Sequence, residues 1–439
     1  MSETLIPADP PRPATRRWLP RLLRGTPFRR YWSGHTVSLF GDEISALALP
    51  LFAVLVLHAG PAQMGYLIAA ALIPNLLFSL LAGAWVDRRP RKRQIMIIAD
   101  IGRALLLVAV PVTFLLGVLR FEHLYVVAFL SGTLALLFAL SDSVLFVSLV
   151  PRKDYVEANT LLHGSRATSY VAGPGIGGVL VQTLTAPIAL LVDAASYLVS
   201  AVFLLRIRPT EPAPSDGERL GIGQGLRFIA HSPIVRPILL GTTTLNLFNY
   251  MFTALFVLYV STVLGISPAA LGAVLAAGAF GALLGAAVTG PIVRRLGIGR
   301  TLVLSLVLFP APLILVPLAG GATPLVLGML FMAEFFCGLG VMMLDITDVS
   351  LQTAAIPDAL RARVSGAQRT INYGIRPVGA LLGGTLGATL GVRPTLWIAT
   401  VGALAGVLWV LGSPVARLRE LPEEASAYSP RPQSAPPQN

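Results

Sequence analysis

The chain has 439 residues, of which 55% are hydrophobic and only 12% are charged, and its mean hydropathy is +0.75. A water-soluble protein has about a quarter of its residues charged, so this composition excludes an ordinary soluble domain. The net charge of +12 would suit nucleic-acid binding if the basic residues were clustered on one folded surface.

Long apolar runs follow one another along the chain. Each has about 20 residues or more, enough to cross a hydrocarbon core of about 30 Å. Unpaired backbone groups are costly in lipid, so such spans form closed helices. The sequence therefore predicts an all-α polytopic membrane protein with twelve transmembrane helices. The runs lie near residues 34–57, 62–86, 94–118, 124–149, 160–183, 186–206, 237–262, 266–291, 299–319, 323–350, 366–390 and 393–413.

The positions of the basic residues predict the orientation in the membrane. Of the 33 Lys and Arg residues, 27 fall in the termini and in the alternate loops that share their side of the bilayer. Two fall in the opposite loops and four within predicted helices. By the positive-inside rule both termini lie in the cytoplasm. The basic charge therefore reflects topology and does not indicate nucleic-acid binding.

The longest hydrophilic stretch inside the chain separates six predicted helices from six. It contains an amphipathic segment at 220–229, which suits the cytoplasmic membrane interface. The expected units are a cytoplasmic tail (1–33), a first half (34–206), a cytoplasmic loop (207–236), a second half (237–413) and a disordered cytoplasmic tail (414–439).

Small, proline and charged residues recur in the same order in the two halves. Internal repeats of this kind are typical of secondary transporters, which hold substrate near the membrane midplane between the repeats. At an offset of 207 residues the matched pairs are Pro61 and Pro268, Gly65 and Gly272, Gly83 and Gly290, and Arg88 and Arg295.

A glycine, an aspartate and a basic cluster follow the second apolar run. The stretch resembles the loop 2-3 signature of the major facilitator superfamily, although Pro90 stands where that signature has a second glycine. An aspartate beside so many cations is expected to stay charged and to pair across the seam between the halves, which would latch the cytoplasmic side shut. The alternative is a topology signal held by anionic lipid. The matching residues are Gly83, Asp87, Arg88, Arg91 and Lys92.

Other stretches look like one branch of that family, the macrolide-efflux and enterobactin-exporter-like drug:proton antiporters. They lie at 28–35, 38–42, 99–103, 157–159 and 193–197. Four residues also resemble the core of the exporters' helix 5 motif, to which the family gives a gating role: Gly173, Pro174, Gly177 and Gly178. The resemblance implies two pseudo-symmetric six-helix halves, a bacterial inner membrane, a monomer and proton-driven export by alternating access.

Several charged residues lie inside the predicted spans. A charge buried in the membrane is retained mainly when it is paired, so we expect structural contacts of Asp142 with Arg166 and of Asp348 with Arg369 that break and form during transport. Asp100 and Arg103, three residues apart on one helix, are expected to form a local structural bridge.

Two adjacent acids, Asp42 and Glu43, lie inside the first apolar run. Adjacent helical residues point about 100° apart, so the two are expected to have different roles. Asp42 shares a polar stripe that we expect to line a central cavity, and the repeat places the neutral Asn249 opposite it. This asymmetry favours Asp42 as a site for coupling or for a cationic substrate. Glu43 is either its proton partner or a packed neighbour.

A third deep acid, Glu334, lies about 11 residues into the tenth predicted helix, close to the midplane. It has no cation near it in sequence, which suits a group that takes up and releases a proton. The alternative is a static pair with an arginine of another helix, for instance Arg376. Both interpretations stay open from the sequence.

Together with the deep acids, the resemblance implies a proton-coupled exporter of small amphipathic molecules. A dedicated exporter of one endogenous metabolite, such as a siderophore, is the alternative, and a non-transporting scaffold or sensor is a third hypothesis. The five histidines lack metal-ligand spacing, and no nucleophile motif is present. We therefore expect no enzyme, no metal and no cofactor, with the proton gradient as the energy source and lipid as the surroundings.

Overall fold

The structure is a computed structural model that describes residues 20–208 and 222–422, and within these residues every regular element is a helix. The first six long helices are α1 (Thr26–Leu55), α2 (Pro61–Asp87), α3 (Lys92–Leu115), α4 (Phe121–Leu149), α5 (Tyr155–Leu184) and α6 (Ala186–Leu205). The other six are α7 (Val235–Val263), α8 (Pro268–Leu296), α9 (Ile298–Leu318), α10 (Thr323–Ala355), α11 (Asp358–Thr389) and α12 (Val392–Leu411).

The predicted all-α membrane architecture is confirmed. Ten of the long helices are apolar enough to cross a membrane by length and composition alone. The remaining two, α5 and α11, have 30 and 32 residues. They are equivalent helices of the two halves. The polar and charged residues of α11 line a cavity of the second half, which accounts for the lower hydropathy of that helix.

Several helices begin before the predicted apolar runs. The first helix starts at Thr26, so it includes the end of the segment predicted as a tail, and α5 and α11 start at Tyr155 and Asp358. An apolar run marks only the part of a helix that lies in hydrocarbon, whereas the charged first turns extend beyond it. The predicted tails before residue 20 and after residue 422, and the Pro-rich part of the central loop at 209–221, lie outside the described residues.

The predicted amphipathic segment forms a helix at Ile222–His231. It packs on the start of α11, where Gly225 lies against the backbone of Arg363 and the Arg363 guanidinium donates to the side chain of Gln224. Ile229 on its apolar face is buried. The central loop is thereby attached to the second half of the molecule.

The two halves repeat one another in detail. In the first half the hydroxyl of Thr36 on α1 donates to Ser165 on α5 at 2.9 Å. In the second half Thr243 on α7 donates to Asn372 on α11 at 3.1 Å. The second pair follows the first at the same offset of 207 residues, which is the offset of the sequence repeat.

Glycines bring the two halves together at one end of the molecule. We call this the outer end; it holds the loops before α2 and α8. A Cβ on Gly65 would lie 2.7 Å from the Cα of Gly384 on α11, and a Cβ on Gly178 of α5 would lie 3.1 Å from the Cα of Gly272 on α8. At these distances neither position has room for a side chain larger than that of glycine. Gly65 and Gly272, which the repeat matches, thus close the seam at two equivalent places.

The halves separate at the opposite, inner end. Cβ atoms placed on Gly83, Gly164 and Gly366, near the inner ends of α2, α5 and α11, would have no other atom within 4 Å. A cavity of about 450 Å³ lies in the second half. The bundle is therefore closed at its outer end and open at its inner end.

This arrangement predicts the outcome of disulfide cross-linking in a Cys337→Ala background. A Cβ on Gly387 would lie 3.0 Å from that of Pro61, close to the spacing of a disulfide. Pro61→Cys/Gly387→Cys should therefore be cross-linked by mild oxidation, detected as a change in gel mobility. The pair Gly83→Cys/Gly366→Cys at the inner end is the matched control and should stay reduced. Cross-linking of the inner pair with none of the outer pair would contradict the arrangement.

Candidate functional site

Asp42 lies near the middle of α1, at a place where α6 comes very close. The residue before it, Gly41, contacts the side chains of Asp193 and Ser196, so that a Cβ at position 41 would overlap both. The glycine of the Ser-Leu-Phe-Gly-Asp stretch therefore permits the close packing of α1 on α6. The packing in turn fixes the position of the Asp42 carboxyl, whose side chain stays 41% exposed.

Two side chains from other helices hold the Asp42 carboxyl. The hydroxyl of Tyr197 on α6 donates to its Oδ1 at 2.5 Å, and the guanidinium of Arg103 on α3 lies 3.5 Å away. Tyr197 and Arg103 are both buried. Asp42 is thus the partly exposed member of a buried charged network.

Arg103 is the centre of that network. Its Nη2 donates to Oδ1 of Asp100 at 2.5 Å, one turn earlier on the same helix. Its guanidinium lies 4.1 Å from the ring centre of Tyr197 and 4.9 Å from that of Phe138 on α4. The predicted pair of Asp100 and Arg103 is therefore present, and Arg103 also contacts the first, fourth and sixth helices.

The cluster holds more carboxyls than cations. Asp193 is fully buried, accepts a hydrogen bond from Ser196 at 3.0 Å, and is near enough to Asp42 and Arg103 to interact with both electrostatically. Three carboxyls thus surround one guanidinium. If all three were ionised, uncompensated negative charge would lie inside the membrane, where it is expensive. The arrangement is chemically suited to binding a proton.

The second half has no acid at the place equivalent to Asp42. Asn249 and Tyr250 on α7 line the cavity there, and the Tyr250 hydroxyl accepts a hydrogen bond from Nη1 of Arg376 at 3.2 Å. The guanidinium of Arg376 also stacks on the ring of Tyr373 at 4.0 Å. The sequence asymmetry between Asp42 and Asn249 is therefore an asymmetry between the two walls of the interior.

A family model, Major Facilitator Superfamily, matches residues 31–380. The chain belongs to the major facilitator superfamily. It is 29% identical to the multidrug efflux pump Tap of Mycolicibacterium fortuitum over 87% of this chain and 93% of Tap. It is 25% identical to an uncharacterized MFS-type transporter, YfiS, of Bacillus subtilis, over 88% and 93% of the two chains. Among solved structures, an inward-facing bacterial homologue of the iron transporter ferroportin matches with a TM-score of 0.72 at 17% identity, over 90% and 99% of the chains.

The molecule is therefore a multi-pass membrane transporter, and its helix 5 motif can be placed in the fold. Gly173 contacts the side chain of Glu43, and Gly177 contacts the backbone of Ile44, both on α1. Gly178 and Pro174 contact α8 of the other half at Gly272. The motif glycines thus hold α5 against α1 on one side and against the second half on the other.

Glu43 points toward α5 and not toward the Arg103 cluster. It packs on Gly173, and no hydrogen bond or ion pair within the described part of the chain reaches its carboxyl. Asp42 and Glu43 therefore do have different surroundings, as their angular separation on the helix requires.

The predicted contact between Asp142 and Arg166 is wrong in this structure. Asp142 accepts a hydrogen bond from the hydroxyl of Tyr31 at 2.8 Å, and Nδ1 of His35 lies 4.0 Å from the same oxygen. Arg166 is exposed. The phenol of Tyr31 hydrogen-bonds the acid and the imidazole of His35 lies beside it, and Arg166 interacts with Asp142 only from beyond ion-pair distance.

The predicted contact between Asp348 and Arg369 is also wrong here. Asp348 accepts a hydrogen bond from Gln352 at 2.7 Å, one turn later on α10. Arg369 lies 5.4 Å from the ring of Tyr373 on its own helix. Both charged residues line the cavity of the second half, so they lie on opposite walls of one space and do not meet.

Glu334 lies on α10 against Gly278 of α8, with its Oε2 3.3 Å from the position of a Cβ on that glycine. No partner for the carboxyl is found among the described residues. The suggested static pair with Arg376 is not formed, since that arginine is held by Tyr250 and Tyr373.

The loop after α2 is held by its lysine. Lys92 is buried, and its Nζ donates to the carbonyl oxygens of Val86, Asp87 and Arg89 at the end of α2. A cation at this position satisfies the free carbonyls of a helix C-terminus. Lys92 therefore fixes the turn, which the sequence alone did not indicate.

The other residues of the loop signature do not bridge the two halves in this structure. Arg88 and Arg91 are exposed, and within the described residues the Asp87 carboxyl forms no ion pair. Since the inner end is open near Gly83, the partners that a latch requires are out of reach. The latch stays a prediction for a state in which this end is closed.

The sequence did not identify Tyr31, Phe138 or Tyr197 as parts of the site. Their rings join with His35 and Arg103 into a continuous stack between Asp142 and Asp42, with ring centres of His35 and Phe138 6.5 Å apart. An aromatic residue in an apolar run gives no sequence signal of this role. For Tyr31 and Tyr197 a signal existed, because the stretches 28–35 and 193–197 resemble the exporter branch.

Arg103→Gln should destabilise the protein, because it leaves Asp42 and Asp100 without their cation. Removing one partner of a buried ion pair costs about 3–5 kcal/mol, so the melting temperature of the purified protein should fall clearly. The double variant Arg103→Gln/Asp100→Asn should recover part of the loss. The matched control is Arg166→Gln, which changes an exposed arginine. Equal melting temperatures of the two single variants would contradict the central place of Arg103.

Proposed function

We propose that the protein exports small amphipathic molecules from the bacterial cytoplasm in exchange for protons. The observation that carries this proposal is the Asp42 carboxyl, which is 41% exposed and is held by the buried Arg103 and Tyr197. The similarity to the multidrug efflux pump Tap along most of both chains supports export of drug-like compounds.

Proton binding acts on the contact between α1 and α3. A proton that enters from the outside neutralises Asp42 and removes its attraction to Arg103, while Arg103 keeps its partner Asp100. The contact between the two helices is weakened, and the two halves can rock so that the glycine contacts close the outer end. When the inner end opens, Asp42 loses the proton to the cytoplasm and pairs again with Arg103. The pair at 3.5 Å in the inward-open arrangement agrees with this last step.

The substrate enters through the open inner end. The cavity there combines aromatic and aliphatic walls with amides and charged groups, which suits a molecule with both apolar and polar parts. In this proposal the inner membrane holds a single chain with both termini in the cytoplasm. The proton gradient supplies the energy, and no cofactor takes part.

Two further acids have defined places in the proposal. Glu43 contacts Gly173 of the helix 5 motif, so its charge state acts on the packing of α5 against α1. Glu334 has no partner within the described residues and is the second candidate proton carrier. The efflux experiment compares both roles with that of Asp42.

Efflux by Asp42→Asn should lose its dependence on the proton gradient. Wild-type protein in an efflux-deficient host should raise resistance to several amphipathic compounds and extrude a fluorescent dye until an uncoupler is added. Asp42→Asn should abolish the uncoupler-sensitive part, because an amide cannot bind and release the proton. The same assay on Glu334→Gln shows whether the second acid contributes to the uncoupler-sensitive efflux.

The matched control is Asp358→Asn, which changes an acid at the inner end whose side chain is 79% exposed; it should transport like the wild type. Export by Asp42→Asn that an uncoupler still abolishes would refute the assignment of Asp42. Resistance to no compound, together with export of one metabolite made by the same cell, would favour the dedicated exporter.

A further inference from the structure

The cavity of the second half, here called the C-half chamber, has charged walls that do not touch. It has a volume of about 450 Å³, which is in the range of small-molecule sites. Acids of α10 form one wall and arginines of α11 the other. The charged lining residues are Asp345, Asp348, Arg369 and Arg376.

The basic wall presents a fixed guanidinium. Arg369, Tyr373 and Arg376 are four and three residues apart, so they share one face of α11. Arg376 is held between the ring of Tyr373 at 4.0 Å and that of Tyr250 at 5.1 Å, with one hydrogen bond to the Tyr250 hydroxyl. Its Nε is buried and has no hydrogen-bond partner within the described residues, and Nη2 donates to none of them either. The guanidinium, which lines the chamber, thus keeps donors that an anionic group can use.

The acidic wall presents one satisfied and one unsatisfied carboxyl. Asp348 accepts a hydrogen bond from Gln352 at 2.7 Å. Asp345, one turn earlier on α10, is exposed to the chamber, and its carboxyl forms no hydrogen bond or ion pair with the described residues. It is near enough to Arg376 to interact electrostatically, but the two are more than ion-pair distance apart.

From these walls we infer that the C-half chamber binds zwitterionic molecules, with an anionic group of the substrate on Arg376 and a cationic group near Asp345. A solute with both charges supplies a counter-ion to Arg376 and to Asp345 at the same time. A purely cationic solute leaves the Arg376 guanidinium without an anion. The aromatic rings of Tyr250 and Tyr373 supply the apolar surface between the two charged groups. This inference rests on the proposed export function and specifies its substrate class.

The chamber also separates the roles of the two halves. In the first half the Arg103 guanidinium pairs with Asp100 and Asp42, so an anionic substrate would compete there with two carboxyls. In the second half the equivalent position of α7 carries the neutral Asn249 and Tyr250, and the arginine remains available. The proton site and the charge-selecting site therefore lie in different halves.

The test uses two dyes that differ by one charge, a xanthylium dye with a free carboxylate and its methyl ester. Binding to the purified protein in detergent is measured by fluorescence anisotropy, without any proton gradient. Wild-type protein should bind the free carboxylate about tenfold more tightly than the ester, as expected for a charge-assisted bidentate contact. Equal binding of the two dyes, tighter binding of the ester, or binding of neither would overturn the inference.

Two variants show which residues cause the preference for the free carboxylate. Arg376→Gln should remove the preference for the free carboxylate and leave the affinity for the ester nearly unchanged, whereas Asp345→Asn should weaken the binding of both cationic dyes. The control Arg295→Gln, at the exposed inner end of α8, should keep the wild-type preference. A preference that survives Arg376→Gln at full size would overturn the assignment. If Arg376→Gln does not fold, the wild-type comparison of the two dyes still decides.

The outcomes for the two proposals can be told apart. Export that continues and stops with an uncoupler, together with equal binding of the dyes, would overturn the zwitterion preference and leave the proposed function intact. A tenfold preference in binding, together with export that is insensitive to the gradient, would support the chamber and refute proton coupling.

Discussion

The guanidinium of Arg103 organises the first half of the transporter because a charge inside a membrane must be compensated by the protein itself. Its ion pair with Asp100 is local to α3, but its second contact, with Asp42, joins α3 to α1, and the rings of Tyr197 and Phe138 join it to α6 and α4. A change in the charge of Asp42 therefore acts on four helices. A carboxyl elsewhere in the bundle, such as Glu334, has no comparable set of contacts.

Small residues let the helices around Arg103 and Asp42 pack closely enough to contact the second half through α5. Gly41 lets α6 approach α1, and Gly173 and Gly177 let α5 approach the same stretch of α1 from the other side. On its far face α5 carries Gly178, which contacts Gly272 of α8. A single helix, α5, thus separates the stretch of α1 around Asp42 from the contact between the two halves. The halves share this scaffold through the repeat, and they differ where one has Asp42 and the other has Asn249.

The sequence predicted the helices well because hydrophobic length has a direct physical cause, the thickness of the bilayer. It also predicted the pair of Asp100 and Arg103, since both residues lie on one helix three positions apart. It failed for Asp142 and Asp348, whose partners are Tyr31 and Gln352. An uncharged side chain that donates a hydrogen bond to an acid produces no charge pattern in the sequence. Contacts such as that of Tyr197 with Asp42 depend on how separate helices pack.

The most direct test of the account is the release of protons when substrate binds. Purified protein in a weakly buffered detergent solution receives a compound that the efflux assay has identified, and a pH indicator records the protons released. Wild-type protein should release protons on binding, because binding favours the inward-open arrangement in which Asp42 pairs with Arg103. Asp42→Asn should bind the compound and release none. Equal release from both proteins would contradict the account.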